Sequence, residues 1–190
     1  MKNALVLPIT DLKWHPVHKH EEIIDRIPEA FNSFIDEKIS QGYSIVFIPQ
    51  LYGTSNDTKL MSEYMRENNT FMVDVSVPER DSLFQQYLIG KLYAVVGMRY
   101  HSNIFSAKMG TPFISVSYEQ KMSGFMQSIG IQEYCIDLYD ISANALCDKF
   151  KTLENTYEQY REKLINSHYM MHEKAFKSTQ AVIDILEKDA

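Results

Sequence analysis

The sequence is poor in the features that mark disulfide-rich and metal-binding proteins. Among its 190 residues there are only two cysteines, Cys135 and Cys147. They show neither C-x-x-C spacing nor a nearby pair of histidines, which argues against a zinc site. We therefore predict two buried thiols, one in a strand and one in a helix, and no bound metal.

The sequence also lacks long apolar runs and clusters of basic residues. No stretch approaches the roughly 18 consecutive apolar residues of a membrane span, and the first residues lack an apolar signal region. These absences predict a cytoplasmic protein, at most peripheral to the inner face of the membrane. The net charge of -6 is spread along the chain. Because nucleic-acid surfaces need clustered Lys and Arg, nucleic acid is not an expected partner, and any bound anion needs a local basic site.

The pattern of apolar residues predicts an α/β fold. Short apolar runs alternate with segments of helical period, which is typical of βαβ units that build a parallel sheet. A Rossmann-like sheet with helices on both faces is the expected architecture. Its six predicted strands are Ala4–Leu7, Ser44–Ile48, Phe71–Val75, Tyr93–Gly97, Phe113–Ser117 and Tyr134–Ile136.

The residues after Ser142 look wholly helical, with breaks expected near Asn155 and Ser167. We therefore divide the chain into a Rossmann-like ligand-binding domain, 1–142, and a helical tail, 143–190. The tail is expected to pack on this same domain or on a further domain. Its aromatic and methionine side chains could pack within the domain, which we favour, or cover another domain or a second copy of the chain; they are Tyr157, Tyr160, Tyr169, Met170 and Met171.

The sharpest chemical signal follows the fourth predicted strand. Ligands of open α/β sheets bind beyond the carboxyl ends of the strands, and there the sequence places Gly97, Arg99 and His101 just before a short helix. A glycine permits close approach, a guanidinium forks onto a carboxylate or phosphate, and an imidazole transfers protons near neutral pH. Ser102 is expected to cap the helix. The structural alternative is that Arg99 pairs with a local carboxylate and His101 makes an ordinary hydrogen bond.

A second polar cluster leaves the neighbouring strand at the same edge. Here Ser117 and Tyr118 could hydrogen-bond a ligand, and Lys121 adds a positive charge. A third group, His15, His18 and His20, lies in an irregular stretch after the first strand. Their spacing fits neither a helix face nor a strand face, so we predict a solvated loop without metal.

The ordered set of residues from Tyr93 to Leu138 resembles the C-terminal domain of the polysaccharide pyruvyltransferase family. That family has Met-Arg-x-His after a strand, then Gly-x-Pro, Ser-Tyr, Lys and Gly-Phe. Upstream, the segment from Gly42 to Gln50 and the Asn56-Asp57 pair are similar as well. The matching residues are Gly97 to His101, Gly110 to Pro112, Ser117-Tyr118, Lys121, Gly124-Phe125 and Gly130.

This resemblance implies half of a fold like that of the B-type (GT-B) glycosyltransferases, with phosphoenolpyruvate as donor substrate, no cofactor and a saccharide diol as acceptor. The product would be a pyruvate ketal on a polysaccharide or its lipid-linked precursor. Carried over by position, Arg99 binds the donor's phosphate or carboxylate and His101 is the acid. The remaining binding residues implied are Gln50, Gly97, Tyr100, Ser117, Tyr118 and Lys121.

The sequence departs from the family at two points. Tyr100 stands where a smaller aliphatic residue is commoner, and the chain begins where the family's second domain begins. Two other functions stay open. One is a glycosyltransferase domain that uses a nucleotide-activated sugar, since the same architecture holds that donor; the other is a non-catalytic binding domain.

Overall fold

A single parallel sheet forms the centre of the molecule. The computed structural model describes residues 3–51 and 56–188. Six parallel strands from these residues pair in the order β3-β2-β1-β4-β5-β6, the order of the dinucleotide-binding Rossmann fold. The predicted fold class is therefore confirmed. The strands are β1 Ala4–Val6, β2 Ser44–Phe47, β3 Thr70–Met72, β4 Ala94–Gly97, β5 Phe113–Ser117 and β6 Cys135–Asp137.

Helices connect the strands. Each crossover returns the chain to the same end of the sheet, so the carboxyl ends of all six strands share one edge. The α-helices within the described part of the chain are α1 Ile23–Ser40, α2 Asp57–Ser62, α3 Ser82–Ile89, α4 Tyr100–Met109, α5 Gln120–Ser128, α6 Ala143–Asn155 and α7 Tyr157–Lys188.

The strands lie where the apolar runs predict them, with small shifts at the ends. Every residue of β4 and β5 is buried, as expected of central parallel strands. The third strand covers Thr70–Met72 rather than the predicted Phe71–Val75. Its register against β2 ends at Met72, so the chain leaves the sheet earlier than its apolar run suggests.

The helix α4 begins earlier than predicted. It starts at Tyr100, so His101 lies inside the helix rather than before it; Arg99 is the residue before the helix, and no side chain caps it. The prediction that Ser102 caps this helix is therefore wrong. Ser102 lies inside the first turn, and its buried hydroxyl has no hydrogen-bond partner among the described residues.

The helical tail packs partly on the sheet domain. Helix α6 packs on α1, and the first part of α7 packs on α4. Tyr160 is buried, stacks on Tyr134 at 3.8 Å between ring centroids, and donates a 2.7 Å hydrogen bond to the carbonyl of Phe113. The predicted break near Asn155 is confirmed at Thr156.

The second predicted break, at Ser167, is wrong. Ser167 is buried within α7, and its hydroxyl donates to the carbonyl of Leu164, so the helix continues. Beyond this point most described side chains are exposed, including Tyr169 with 75% of its surface accessible and Met170, whereas Met171 is half-buried against the core. Packing within the domain therefore accounts for Tyr157 and Tyr160 but not for Tyr169.

The two cysteines lie in β6 and α6, the predicted element types, but both are half-buried rather than buried. The thiol of Cys147 donates to the Glu37 carboxylate at 2.9 Å. Burial, together with this carboxylate, raises the pKa of Cys147 to about 12.

No helix in the described ranges combines the length and the apolar character that crossing a membrane would require.

Gly97 allows two chain segments to approach closely at the carboxyl edge. A Cβ atom at this position would lie only 2.5–2.8 Å from three atoms of Pro8, which follows β1. In addition, the Met98 amide donates to the Pro8 carbonyl at 2.9 Å. The glycine is thus explained by contact between the loops after β1 and β4.

Gly97→Ala is expected to lower the free energy of unfolding by about 1–3 kcal/mol, because the added methyl group overpacks the contact with Pro8. Denaturant unfolding measures this. Gly124→Ala in α5 is the matched control, since its Cβ would meet nothing within 4 Å. That change should be neutral or should stabilise by up to about 1 kcal/mol, and equal effects at the two positions would contradict the explanation.

Candidate functional site

A cavity lies at the carboxyl edge of the sheet, where the strand order reverses between β1 and β4. Parallel sheets bind ligands at such a switch point. The cavity has a volume of about 350 Å³ and is bordered by the loop after β1, by α2 and by Arg99, the second residue after β4. We call it the switch-point cavity and define it by Asp11, Lys13, Trp14, Asp57, Lys59 and Arg99.

Arg99 forms the inner wall of this cavity and is paired with Asp57. Both residues are buried, with 8% and 2% of their surfaces exposed. The guanidinium donates through Nε to Asp57 Oδ2 at 3.1 Å and through Nη2 to Oδ1. The structural alternative considered for Arg99, a local carboxylate partner, is therefore present in the fold.

The Asp57 carboxylate also receives two backbone hydrogen bonds. The amides of Gln50 and Leu51 both donate to Oδ2, each at 2.9 Å. With the two bonds from Arg99, four donors converge on one carboxylate. Such saturation offsets the large desolvation penalty of a buried charge. Gln50 thus contributes to the site through its backbone, whereas its side-chain amide points to Gln85.

Two aromatic side chains complete the surroundings of Arg99. The guanidinium carbon lies 5.6 Å from the centroid of the Trp14 ring. Tyr118 is buried and meets Trp14 edge-on at 6.4 Å. Burial raises the pKa of Tyr118 although the positive charge and hydrogen bond of Arg99 oppose this rise. The phenol therefore keeps its proton at neutral pH and can donate a hydrogen bond to an anion.

The loop after β1 holds Trp14 at the cavity mouth. Its indole N–H donates to the Thr10 hydroxyl at 3.0 Å. Leu12 is fully buried and has a φ of 56°, a left-handed conformation that is unfavourable for a leucine by about 1–2 kcal/mol. Because Leu12 is buried and the Trp14 indole is hydrogen-bonded, this loop has a defined conformation.

The prediction of a solvated histidine loop is wrong for His15 and His18. Both are buried, and their rings stack at 4.6 Å between centroids. His15 Nδ1 accepts from two backbone amides, so its ring proton lies on Nε2 and is donated to Glu119 at 3.2 Å. Only His20 is exposed, as predicted.

The hydrogen bonds of His18 require a charged ring. Nδ1 faces the Glu21 carboxylate and Nε2 faces the Tyr118 carbonyl, each at 2.9 Å. Because both partners only accept, both ring nitrogens must donate. Burial alone would lower the pKa of His18, but these hydrogen bonds outweigh it and raise that pKa. The local sequence does not show this burial, because the Glu119 partner of His15 and the Tyr118 partner of His18 come from the loop after β5, about a hundred residues away.

The second polar cluster borders a smaller cavity. Ser117 and Tyr118 line this space of about 210 Å³ together with His18 and Tyr139. Lys121 is exposed and pairs with Glu119 at 2.5 Å. This carboxylate raises the pKa of Lys121. The Lys121 ammonium group therefore pairs with Glu119 and does not line the switch-point cavity.

His101 is not brought to the switch-point cavity. It is exposed on the first turn of α4, and its ring neighbours are Tyr100 at 6.3 Å and Phe105 at 6.2 Å between centroids. Tyr100 is half-buried and packs edge-on against Phe125. Of the predicted site residues, the fold thus gathers Arg99, Tyr118 and the Gln50 backbone, while Ser117, Lys121 and His101 lie apart and Gly97 packs on Pro8.

Sequence reasoning assigned no role in the site to Asp57 or Trp14, although the Asn56-Asp57 pair belongs to the family resemblance. Asp57 directly follows Asn56, whose side chain caps α2 by accepting from the Thr58 amide at 2.8 Å. An Asn-Asp pair after a strand was therefore the available signal. For Trp14 the signal was the single tryptophan of the chain in the loop after β1. No group of three or more metal-ligating side chains occurs between residues 3 and 51 or between 56 and 188.

Solved structures of an epimerase and a glycosyltransferase share the fold. One is UDP-GlcNAc 2-epimerase from Neisseria meningitidis bound to UDP-GlcNAc, with a TM-score of 0.56 and 15% identity over 93% of this chain and 45% of that chain. Another is the glycosyltransferase SnogD from Streptomyces nogalater, with a TM-score of 0.51 and 13% identity over 90% and 40%. At such identities the likeness concerns the fold alone.

A relative of known role is similar in sequence. The amylovoran biosynthesis protein AmsJ of Erwinia amylovora is 24% identical over 142 residues, which are 71% of this chain and 34% of that protein. The chain thus spans about a third of the relative's length. The family model named polysaccharide pyruvyl transferase matches residues 5–120, which include β1 to β5 and Arg99. Because this match covers more than half of the sequence, the chain belongs to the polysaccharide pyruvyl transferase family.

Proposed function

We propose that this chain binds phosphoenolpyruvate and takes part in transferring its pyruvyl unit to two hydroxyl groups of a saccharide. Membership of the family supports transfer chemistry, and the role of the relative AmsJ in amylovoran biosynthesis supports a polysaccharide setting. The observation that carries the proposal is the buried guanidinium of Arg99 in the wall of the switch-point cavity. Phosphoenolpyruvate has two anionic groups, and a guanidinium matches either one with paired hydrogen bonds.

The proposed reaction needs an acid and a base but no redox step. A proton adds to C3 of the donor, which leaves C2 electron-poor, and one saccharide hydroxyl attacks C2. The bond from C2 to the phosphate oxygen then breaks, and the second hydroxyl closes the ketal. Of the two hydroxyl protons, one balances the proton taken up at C3 and the other leaves with inorganic phosphate.

The residues suit separate parts of this reaction. Arg99 holds the phosphate or carboxylate of the donor, and the protonated phenol of Tyr118 beside it donates a further hydrogen bond. His101 supplies the proton. Because its ring is exposed at the carboxyl edge, two residues beyond Arg99 and outside the cavity, this role requires Arg99 to hold the anionic end of the donor while the C3 methylene projects out of the cavity toward His101. We place these steps in the cytoplasm, because phosphoenolpyruvate is made there.

Arg99→Lys should weaken phosphoenolpyruvate binding by about tenfold or more, because lysine keeps the charge but loses the paired hydrogen bonds. Isothermal titration calorimetry measures the affinity. Arg66→Lys is the control, since Arg66 forms an exposed pair with Asp36 away from the cavity. Binding of uridine or cytidine nucleotides without any binding of phosphoenolpyruvate would contradict the proposal and would favour a nucleotide-sugar donor.

His101→Gln should leave phosphoenolpyruvate affinity unchanged and reduce saccharide-dependent phosphate release by about 10²- to 10⁴-fold, the usual contribution of a positioned acid. The side chain is exposed, so the fold should not change. His172→Gln, at an exposed position on α7, is the matched control. Equal phosphate release by the two variants would remove His101 from the mechanism.

A further inference from the structure

The carboxylate of Asp57 occupies a ready-made anion site. It accepts from Arg99 Nε and Nη2 and from the amides of Gln50 and Leu51, so every donor at this point is directed at one negatively charged group. Two backbone amides and a guanidinium are also the donors that proteins use for phosphate and carboxylate ligands. We call these four donors the anion cradle.

The charged residues that line the switch-point cavity balance one another. They are three cations and three carboxylates, so the positive charge of the lining is fully offset while Asp57 stays in place. A donor with two anionic groups would then meet a cavity lining without surplus positive charge. The charged lining residues are Lys13, Lys59, Arg99, Asp11, Asp57 and Glu63.

We propose that Asp57 is an internal competitor for the anion cradle, and that an anionic group of the ligand binds there by displacing the Asp57 carboxylate. This inference rests on the proposed function in taking Arg99 as the anion-binding group. The displaced carboxylate can move to Lys59, which lines the same cavity; Lys13 lines it too but pairs with Asp11 at 4.0 Å. Asp57 thereby keeps the buried guanidinium neutralised between turnovers and releases it only to an anion that binds more tightly.

The rival explanation is that Asp57 never leaves and only positions Arg99, so that a ligand uses the remaining guanidinium donors. The two explanations predict opposite effects of Asp57→Asn. This change removes the charge and turns an N–H group toward the donors of the cradle. A displaced competitor would then be easier to displace, whereas a lost positioning residue would leave Arg99 poorly oriented.

The experiment titrates inorganic phosphate and phosphoenolpyruvate into the wild-type protein and into Asp57→Asn, with calorimetry and thermal unfolding as readouts. We expect about tenfold or tighter binding of both anions by Asp57→Asn. We also expect a lower melting temperature of its ligand-free form and a larger ligand-induced rise. Asp36→Asn, which breaks the exposed pair with Arg66, should change these affinities less than twofold. Equal or weaker anion binding by Asp57→Asn would overturn the inference.

A second measurement needs no variant at Asp57 and decides the question if Asp57→Asn does not fold. In the wild-type protein, saturating phosphate should shift the amide NMR signals of Gln50 and Leu51, which change their acceptor. The Thr58 amide is the internal control, because it donates to Asn56 instead of Asp57. Unchanged Gln50 and Leu51 signals, alongside shifted Arg99 side-chain signals, would overturn displacement.

The two proposals fail in distinguishable ways. Displacement is read with inorganic phosphate alone, while pyruvyl transfer is read as ketal formation from phosphoenolpyruvate. If phosphate displaces Asp57 but no ketal forms under any saccharide condition, the inference stands and the proposed function falls. If ketal forms while the Gln50 and Leu51 signals stay unchanged, the proposed function stands and the inference falls.

Discussion

The buried ion pair between Arg99 and Asp57 ties together the loops that follow β2 and β4. Neither charge can stay buried without the other, and removing one partner of such a pair typically destabilises a protein by about 3–5 kcal/mol. The pair also orders the Gln50–Leu51 backbone, because those amides share the same carboxylate. This contact therefore fixes the inner wall of the switch-point cavity and neutralises its buried cation.

A second set of contacts, from the loop after β1, closes the cavity from the other side. Trp14 lies against the guanidinium of Arg99, while charged His18 binds the Tyr118 carbonyl. These contacts join the ends of β1, β4 and β5, which are neighbours in the sheet. The carboxyl edge is therefore a network of polar side chains on a rigid apolar sheet, which is the usual way in which such folds position a ligand.

The sheet could be predicted because it depends on local patterns. Burial on both faces makes β4 and β5 read as apolar runs, and the alternation with helices indicates parallel connections. The partners of Arg99 and His18 could not be predicted, since Asp57 and Tyr118 are 42 and 100 residues away in sequence. Arg99 was found by its position after a buried strand, but position does not reveal that a carboxylate already holds its guanidinium. The same limit explains His101, whose short distance from Arg99 in sequence does not bring the two side chains into one cavity.

The central claim is that the switch-point cavity binds the anionic donor. Two observations support it: the chain belongs to the polysaccharide pyruvyl transferase family, and the buried guanidinium of Arg99 lines the cavity. A crystal structure of the protein grown with phosphoenolpyruvate tests this claim most directly. We predict a phosphate or carboxylate group of the donor within hydrogen-bond distance of the Arg99 guanidinium. Donor density against the smaller cavity beside Ser117, or elsewhere on the surface without contact to Arg99, would contradict it.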